Sequence, residues 1–180
     1  MYVWHFSNGK LANDRNDEIV AGLSLACEQD EIELCLKGFH GSKRLIDALD
    51  YAPGNILSWC EVGGCIIEDD DKLVASIRRH VIVVDVERTL HEFAIWCAAQ
   101  ALLLVDEPDP RSLKALEVKR LWLDGKATDE ELAAARAAAR DTARDAAWDA
   151  AWDAAGDAAG AAEKDIQEDM LIELLTRYKD

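Results

Sequence analysis

The sequence predicts an α+β protein, in which a small mixed or antiparallel sheet with one packed helix is followed by an all-α, alanine-rich C-terminal region. Three observations lead to this prediction. Short runs of β-branched and aromatic residues, separated by Gly, Asn and Pro, fill the chain as far as Val86. Beyond Glu87, apolar residues recur every three to four positions. Alanine then occupies 17 of the 30 positions from 133 to 162. We therefore predict an α+β domain over 1–87 and a helical region over 88–180.

The first elements of the α+β domain follow from residue type and alternation. Residues 2–6 (YVWHF) are strand formers and precede the turn sequence SNGK. Residues 31–39 alternate apolar and polar side chains, which predicts a half-buried strand. A helix is expected within 41–54, where the Ser42 hydroxyl can cap its first turn and a Pro-Gly pair ends it.

The remaining strands follow from two longer apolar segments. Residues 55–68 predict a strand, a break or bulge at Gly63 and Gly64, and a second strand. After the polar turn EDDDK, residues 73–86 predict one or two more strands, which gives about five in all. The basic cluster 78–80 (RRH) is interpreted as a device that protects an edge strand.

Four helices are predicted in the second region, at about 88–105, 110–123, 129–162 and 164–178. Pro108 follows the first of them, and proline cannot continue a helix. Thr128 and Glu131 have the spacing of a capping box at the start of the third helix. A break of that helix at Gly156 or Gly160 is left open.

The composition restricts the classes of partner. Twenty Lys and Arg stand against 36 Asp and Glu, so that the net charge is −16 and the pI about 4.6. Phosphates of nucleic acids and anionic membranes would repel such a chain, so we expect neither as a direct partner and expect a basic protein surface instead. The five cysteines contain no CxxC pair, and the sequence begins without the basic and apolar segments of a secretory signal. We therefore expect reduced cysteines and a location in the host-cell cytoplasm.

A four-residue repeat distinguishes residues 141–160. Because an α-helix turns every 3.6 residues, each step of four advances about 40°, and side chains at this spacing wind around the helix as a spiral. Acids spaced in this way repel one another, and only Arg144 and Lys164 are basic between 141 and 169. The spiral consists of five aspartates with two tryptophans between them: Asp141, Asp145, Asp149, Asp153 and Asp157, with Trp148 and Trp152.

Two interpretations of this aspartate spiral remain open. In the first, it is a solvated face of a low-complexity helix, and Trp148 and Trp152 pack in a core. In the second, the carboxylates imitate the phosphates of a nucleic acid in a basic groove, with the two tryptophans as anchors. Because one row of aspartates is about half as dense in charge as a DNA strand, Glu163 and Asp165, or a second copy in a homodimer, would have to add charge.

No motif of established chemistry is present. The sequence contains no P-loop, GxGxxG, HExxH or GxSxG. The spacings of cysteine and histidine match no zinc module. We therefore predict no cofactor and no metal site, and we assign no catalytic residue.

The front of the chain resembles a domain of unassigned function that is common in phage and prophage proteins. The resemblance is carried by CLKGFHGSKRLIDALDYAPG (35–54) and EVGGCIIEDDDKLVAS (61–76), and it covers about residues 1–90. The repeats over 133–162 resemble the Ala/Asp/Trp tails that such domains carry in proteins labelled as immunity proteins. These resemblances imply a phage or mobile-element origin.

A second resemblance concerns FHGS (39–42). It is similar to the His-Gly-Ser/Thr motif by which ADP-ribosyltransferases of the poly-ADP-ribose polymerase type hold the nicotinamide ribose. The resemblance implies that His40 and Ser42 contact NAD. The tyrosine and the catalytic glutamate of that family have no clear counterpart in this sequence, although Tyr51 and Glu61 are available.

The expected function is inhibition by binding. In this hypothesis an acidic, phage-derived protein of the anti-CRISPR or anti-restriction type covers the basic nucleic-acid site of a host defence complex by partial DNA mimicry. One alternative is an NAD-binding, ADP-ribosyltransferase-like enzyme built around His40 and Ser42. The other is an immunity (toxin-neutralising) or structural protein, in which Trp148 and Trp152 are buried and the aspartates are dispensable.

Overall fold

The computed structural model describes residues 1–11, 17–150 and 157–177, and for residues 30, 140–150 and 157–162 it describes the backbone only. The strands of this part are β1 (Tyr2–Ser7), β2 (Ser24–Ala26), β3 (Phe39–Gly41), β4 (Ile56–Glu68) and β5 (Leu73–Asp85). The helices are α1 (Leu45–Asp50), α2 (Glu87–Leu103), α3 (Pro110–Leu123), α4 (Asp129–Ala150) and α5 (Asp157–Arg177). None of the described helices is both long enough and apolar enough to cross a lipid bilayer.

The strands form one antiparallel sheet, and the predicted α+β class is confirmed. β1, β4, β5 and β2 follow one another across the sheet, and β3 also pairs with β5. Directly after β3, Ser42 exchanges two backbone hydrogen bonds with Trp4 of β1, at 2.8 and 3.0 Å. β3 therefore connects β5 back to β1 and closes a ring of hydrogen-bonded strands. The apolar core of these strands consists of Val3, Cys60, Val62, Leu73 and Ala75.

The long hairpin of β4 and β5 contains the predicted bulge. The register of the two strands shifts between Gly63 and Ile66. Gly64 has a φ of +74°, and a Cβ at this position would lie 2.1 Å from Ser76 Oγ. The hydroxyl of Ser76 instead accepts a hydrogen bond from the Cys65 backbone N–H at 2.9 Å. The bulge is confirmed, and β4 continues through it as one strand.

Two local predictions near β3 are wrong. Residues 31–39 form no continuous strand, because Cys35 has a left-handed φ of 67° in a turn closed by backbone hydrogen bonds between Glu33 and Lys37. Ser42 does not cap α1, because its backbone pairs with β1 and Arg44 stands at the N-cap, where no side chain makes a capping hydrogen bond. Long-range pairing with β1 thus prevails over the local capping preference.

The predicted protection of an edge strand by residues 78–80 is also wrong. β5 is an inner strand, paired with β4 on one side and with β2 and β3 on the other. Arg78 and His80 are accordingly 5% and 0% exposed, and only Arg79, which points to the other face, is exposed.

Three of the helices begin within a residue of the predicted positions, but the predicted boundary between 162 and 164 is wrong, because α5 runs without a break from Asp157 to Arg177. The capping box of α4 is confirmed, since the Glu131 N–H donates to Thr128 Oγ1 at 3.2 Å and the Thr128 N–H donates to Glu131 Oε2 at 2.8 Å. α3 has the predicted bounds, and α2 ends at Leu103 instead of about 105. Continuity between α4 and α5, including Gly156, lies outside the described residues, whereas α5 passes through Gly160 without a break.

The described chain divides into two compact units. The first consists of Met1–Glu87 together with the end of α5 from Leu171, and the second begins at Arg88 and ends at Met170. Leu171 and Leu174 are buried, with 1% and 5% exposure, so the last turns of α5 contribute apolar side chains to the first unit.

Candidate functional site

A cavity of about 380 Å³ lies in the first unit, beside β1, β3 and α1. This volume is within the range of small-molecule sites in proteins. Its walls combine aromatic rings with hydroxyl and titratable groups. They are formed by Trp4, His5, Phe6, Cys35, His40, Gly41, Ser42, Ala48, Tyr51, Pro53 and Lys72.

The His-Gly-Ser sequence lies on the cavity wall because β3 closes the ring of strands there. A Cβ on Gly41 would lie 2.7 Å from Val3 Cγ2 and 3.0 Å from the carbonyl oxygen of Trp4. Any larger residue would therefore push β3 away from β1. Ser42, which follows, is 1% exposed and holds Trp4 through its backbone. Tight strand closure thus accounts for the glycine of this motif.

Tyr51 and Lys72 form a polar group on the cavity wall. The Tyr51 hydroxyl donates to Asp71 Oδ2 and accepts a hydrogen bond from Lys72 Nζ at 3.0 Å. Lys72 Nζ also lies 4.7 Å from the centre of the Tyr51 ring. The hydrogen bond to Tyr51 raises the pKa of Lys72 above its ordinary value. The aromatic ring is thus held in place with a cation beside it.

The ring of His40 is held by its own loop. Its Nε2 accepts a hydrogen bond from the Cys35 backbone N–H at 2.9 Å, which requires the neutral form of the imidazole at that nitrogen. Burial, followed by the positive charge of Arg78, lowers the pKa of His40. We infer that His40 is neutral at pH 7 and helps to order the turn that carries Cys35.

A buried polar cluster lies behind the cavity on the inner face of the sheet. It is formed by His5 of β1, Ser58 and Cys60 of β4, and Arg78 and His80 of β5. His5 lies opposite Ser58 in register, and Cys60 lies opposite His80. Burial is the first cause that lowers the pKa of both histidines, that of His80 to about 4, and Arg78 adds to the effect. The cluster therefore contains one cation and neutral imidazoles at pH 7.

Several polar atoms of this cluster have no hydrogen-bond partner. Within the described part of the chain, Ser58 Oγ, Arg78 Nε and His80 Nε2 are buried and unsatisfied. Buried polar groups without partners are uncommon and costly, so each of them requires a physical explanation. These three atoms mark the cluster as a place where the fold retains polar side chains that packing alone does not require.

Cys60 and His80 resemble a nucleophile and base by proximity, with Cys60 Sγ 3.5 Å from His80 Nδ1. Burial, however, raises the pKa of the Cys60 thiol to about 11 and lowers that of His80. A neutral thiol beside a neutral imidazole, both inaccessible to solvent, is a poor nucleophile. This pair therefore has a structural role.

The structure brings together His40, Ser42 and Tyr51, three residues of the ADP-ribosyltransferase resemblance, on one cavity. It does not bring Glu61 to them. Glu61 lies on β4 opposite Tyr2 in register, and its carboxylate is 3.7 Å from the guanidinium of Arg79. Tyr51 thus lies on the cavity wall, and Glu61 does not.

The predicted partner-binding residues lie in or near the part of the chain without described side chains. Glu163 and Asp165 are exposed on α5. Asp153 and Trp152 lie outside the described residues, and the other members of the aspartate spiral have a described helical backbone only: Asp141, Asp145, Trp148, Asp149 and Asp157. Among the described residues, no group of three or more His, Cys, Asp or Glu is arranged to hold a metal ion.

Sequence reasoning missed the buried polar cluster. Positions 76, 78 and 80 alternate along β5, so they share one face of the strand. This alternation was visible in the sequence, but it did not indicate which face is buried, because the inner position of β5 arises only from its pairing with β2, β3 and β4. His5 was not assigned a role for the same reason.

Comparison with known proteins adds no family to this geometry. No protein-family model, no curated protein sequence and no solved structure matches the chain.

Proposed function

We propose that the first unit is a binding module for a small ligand with a planar aromatic group, and that NAD is the ligand to test first. The observation that carries this proposal is the cavity of about 380 Å³, to which Trp4, Phe6 and Tyr51 contribute aromatic rings and His40 and Ser42 contribute the His-Gly-Ser motif. Apolar cavities with a few convergent polar groups are the usual form of small-molecule sites.

The size of the cavity and its rings fit one part of a dinucleotide. A volume of this order accommodates a nicotinamide ring with its ribose, and the remainder of NAD would extend toward solvent. Stacking of a planar base on an aromatic side chain contributes about 1–3 kcal/mol, which makes Tyr51 and Trp4 the expected sources of affinity.

Binding without group transfer is the form of this proposal that the residues support. Among the described residues that line the cavity, none is an aspartate or glutamate. Glu61, the carboxylate available for the role of the catalytic glutamate, is paired with Arg79 elsewhere on β4. We therefore propose a binding protein and not an ADP-ribosyltransferase.

Calorimetric titration of the protein with NAD tests the proposal. We expect saturable binding that Tyr51→Ala weakens by about tenfold, the lower end of the stacking contribution. Tyr2→Ala is the matched control, because Tyr2 stacks on Trp59 at 5.6 Å and does not line the cavity. Absence of binding at millimolar NAD, or equal loss in the two variants, would contradict the proposal.

A second candidate function is supported by the charge of the chain. We propose that the helical region also binds a basic protein surface, such as the nucleic-acid site of a host defence complex. The net charge of −16 supports this candidate, as does the helical backbone of α4 through Ala150, which gives Asp141, Asp145 and Asp149 a rise of about 6 Å per step.

Co-purification from infected cells at low and high salt tests this second candidate. A nucleic-acid-binding protein is expected to be retained at low salt and released as salt rises. Reversal of Asp145, Asp149 and Asp153 to lysine is expected to abolish retention. Reversal of three exposed acids elsewhere, Glu28, Asp70 and Asp106, provides a control with the same net charge. Equal behaviour of the two triple variants would reject a specific role for the aspartate spiral.

A further inference from the structure

The buried polar cluster contains a cation without a counter-ion. Arg78 is 5% exposed, and within the described part of the chain no carboxylate lies at ion-pair distance from it. One terminal nitrogen donates to the carbonyl oxygen of His40 at 3.1 Å, and the Phe39 ring lies 5.3 Å from the guanidinium carbon. Its Nε has no hydrogen-bond partner among the residues that the structure describes. An uncompensated guanidinium at this depth is unfavourable, because arginine keeps its charge in a protein interior.

The geometry places this charge close to the cavity. The carbonyl oxygen of His40 accepts a hydrogen bond from Arg78 at 3.1 Å. His5 and His40 are both residues of the cavity wall, so the guanidinium lies directly behind that wall. The positive charge of Arg78 acts on the cavity wall, since it contributes to the lowered pKa of His5 and of His40.

We infer that the ligand of this cavity carries an oxyanion, a carboxylate or a phosphate, beside its planar aromatic group. This inference rests on the proposed binding function and names the class of ligand. A charge buried behind an apolar wall is screened weakly, so an anion in the cavity interacts with Arg78 more strongly than it would at the surface. The cavity wall has no carboxylate among its described residues to satisfy Arg78, and Lys72 adds a second positive charge.

Nicotinate and nicotinamide form a matched pair of probes, because they share one ring and differ in a carboxylate and a neutral amide. We take the ligand's anion and the Arg78 guanidinium to be about 8–10 Å apart, with an effective dielectric constant of about 20 between them. Their attraction then lowers the Kd of the charged probe by on the order of tenfold. We expect nicotinate to bind the full-length protein about tenfold more tightly than nicotinamide. We also expect most of this preference to persist when salt is raised from about 0.05 to about 0.5 M, because a buried charge is screened weakly, whereas a preference caused by a surface charge would decline.

Substitutions assign the preference to Arg78. Arg78→Met is expected to remove it, and Arg78→Lys, which keeps the charge, is expected to retain most of it. Arg79→Met is the matched control, because Arg79 is exposed on the other face of β5 and pairs with Glu61. If Arg78→Met does not fold, the comparison of the two probes and its salt dependence in the unaltered protein still decide the question.

The outcomes separate the inference from the function on which it rests. Equal or tighter binding of nicotinamide would overturn the inference and leave the binding module intact, whereas failure of both probes and of NAD would overturn the proposed function itself. Inorganic phosphate distinguishes the two sources of the oxyanion. Competition between phosphate and nicotinate supports a phosphate ester, and a nicotinate preference that phosphate does not affect supports a carboxylate.

Discussion

Acidification should destabilise the first unit through His80. This side chain is 0% exposed, and its Nε2 has no hydrogen-bond partner in the described part of the chain. Its pKa falls from 6.5 to about 4 because burial and Arg78 disfavour the protonated ring. The unfolded chain therefore binds a proton at His80 between pH 6.5 and 4, and the folded chain does not. The contribution of His80 to the free energy of unfolding is present above pH 6.5 and is lost as the pH falls toward 4.

The magnitude follows from the two pKa values. At pH 5 the unfolded imidazole is almost fully protonated and the folded one about one-tenth protonated, which corresponds to a loss of about 2 kcal/mol relative to pH 7.5. Relaxation and water penetration around a buried charge reduce this figure. We therefore expect a loss of about 1–2 kcal/mol from His80 alone.

Urea denaturation at several pH values between 7.5 and 5 measures this loss. The NMR signal of the native His5 imidazole is the probe of unfolding, because His5 lies in the same unit as His80. His80→Gln removes the titrating group and should reduce the decrease in unfolding free energy by the amount above. Val81→Thr, at an exposed neighbouring position of β5, should keep the full decrease. Equal pH dependence in His80→Gln and the unaltered protein, together with an NMR-measured pKa of His80 near 6.5, would refute the reasoning.

Three further predictions concern local structure and reactivity. Gly41→Ala should destabilise the first unit by about 1–3 kcal/mol in thermal denaturation, because the added methyl group overpacks the contact between β3 and β1. Gly63→Ala is the control and should have little effect in the same measurement, because the space around Gly63 is open. Thr128→Ala should reduce the stability of the second unit by about 1 kcal/mol, measured by hydrogen exchange in the first turn of α4, through loss of the capping box. Cys60 should resist alkylation at pH 8 in the folded protein, because its thiol is buried and its pKa is raised to about 11, while the exposed Cys35 should react. Mass spectrometry measures the rate at which each cysteine is labelled, and equal rates would contradict the structure.

The elements that local sequence could predict are those whose cause is local. The capping box of Thr128 and Glu131 needs only residues three apart, and Pro110 begins a helix wherever its fixed φ suits the first turn. The glycines at 63 and 64 permit a left-handed backbone that other residues avoid, so the bulge could be located within two residues. None of these features depends on a distant segment.

The candidate site could be predicted only in part. His40 and Ser42 were singled out by resemblance, and they do share a cavity with Tyr51, while their contact with NAD stays a prediction. The backbone of Ser42 closes β3 onto β1, and the ring of His40 accepts a hydrogen bond from its own loop. The aspartate spiral, on which the expected function depends, stays a prediction.

The sequence alone determined the α+β class, the chain positions of most helices and of the three long strands, and the strongly acidic charge. Each of these follows from composition or from patterns within a few residues. The tertiary structure decided which faces are buried. The pairing of Ser42 with Trp4, some 38 positions apart, creates the cavity, and the inner position of β5 turns Arg78 from an apparent surface charge into a buried cation. The physical reason is that burial of a strand residue depends on which segments flank it, and contacts between distant segments are set by the packing of the whole unit and not by local backbone preference.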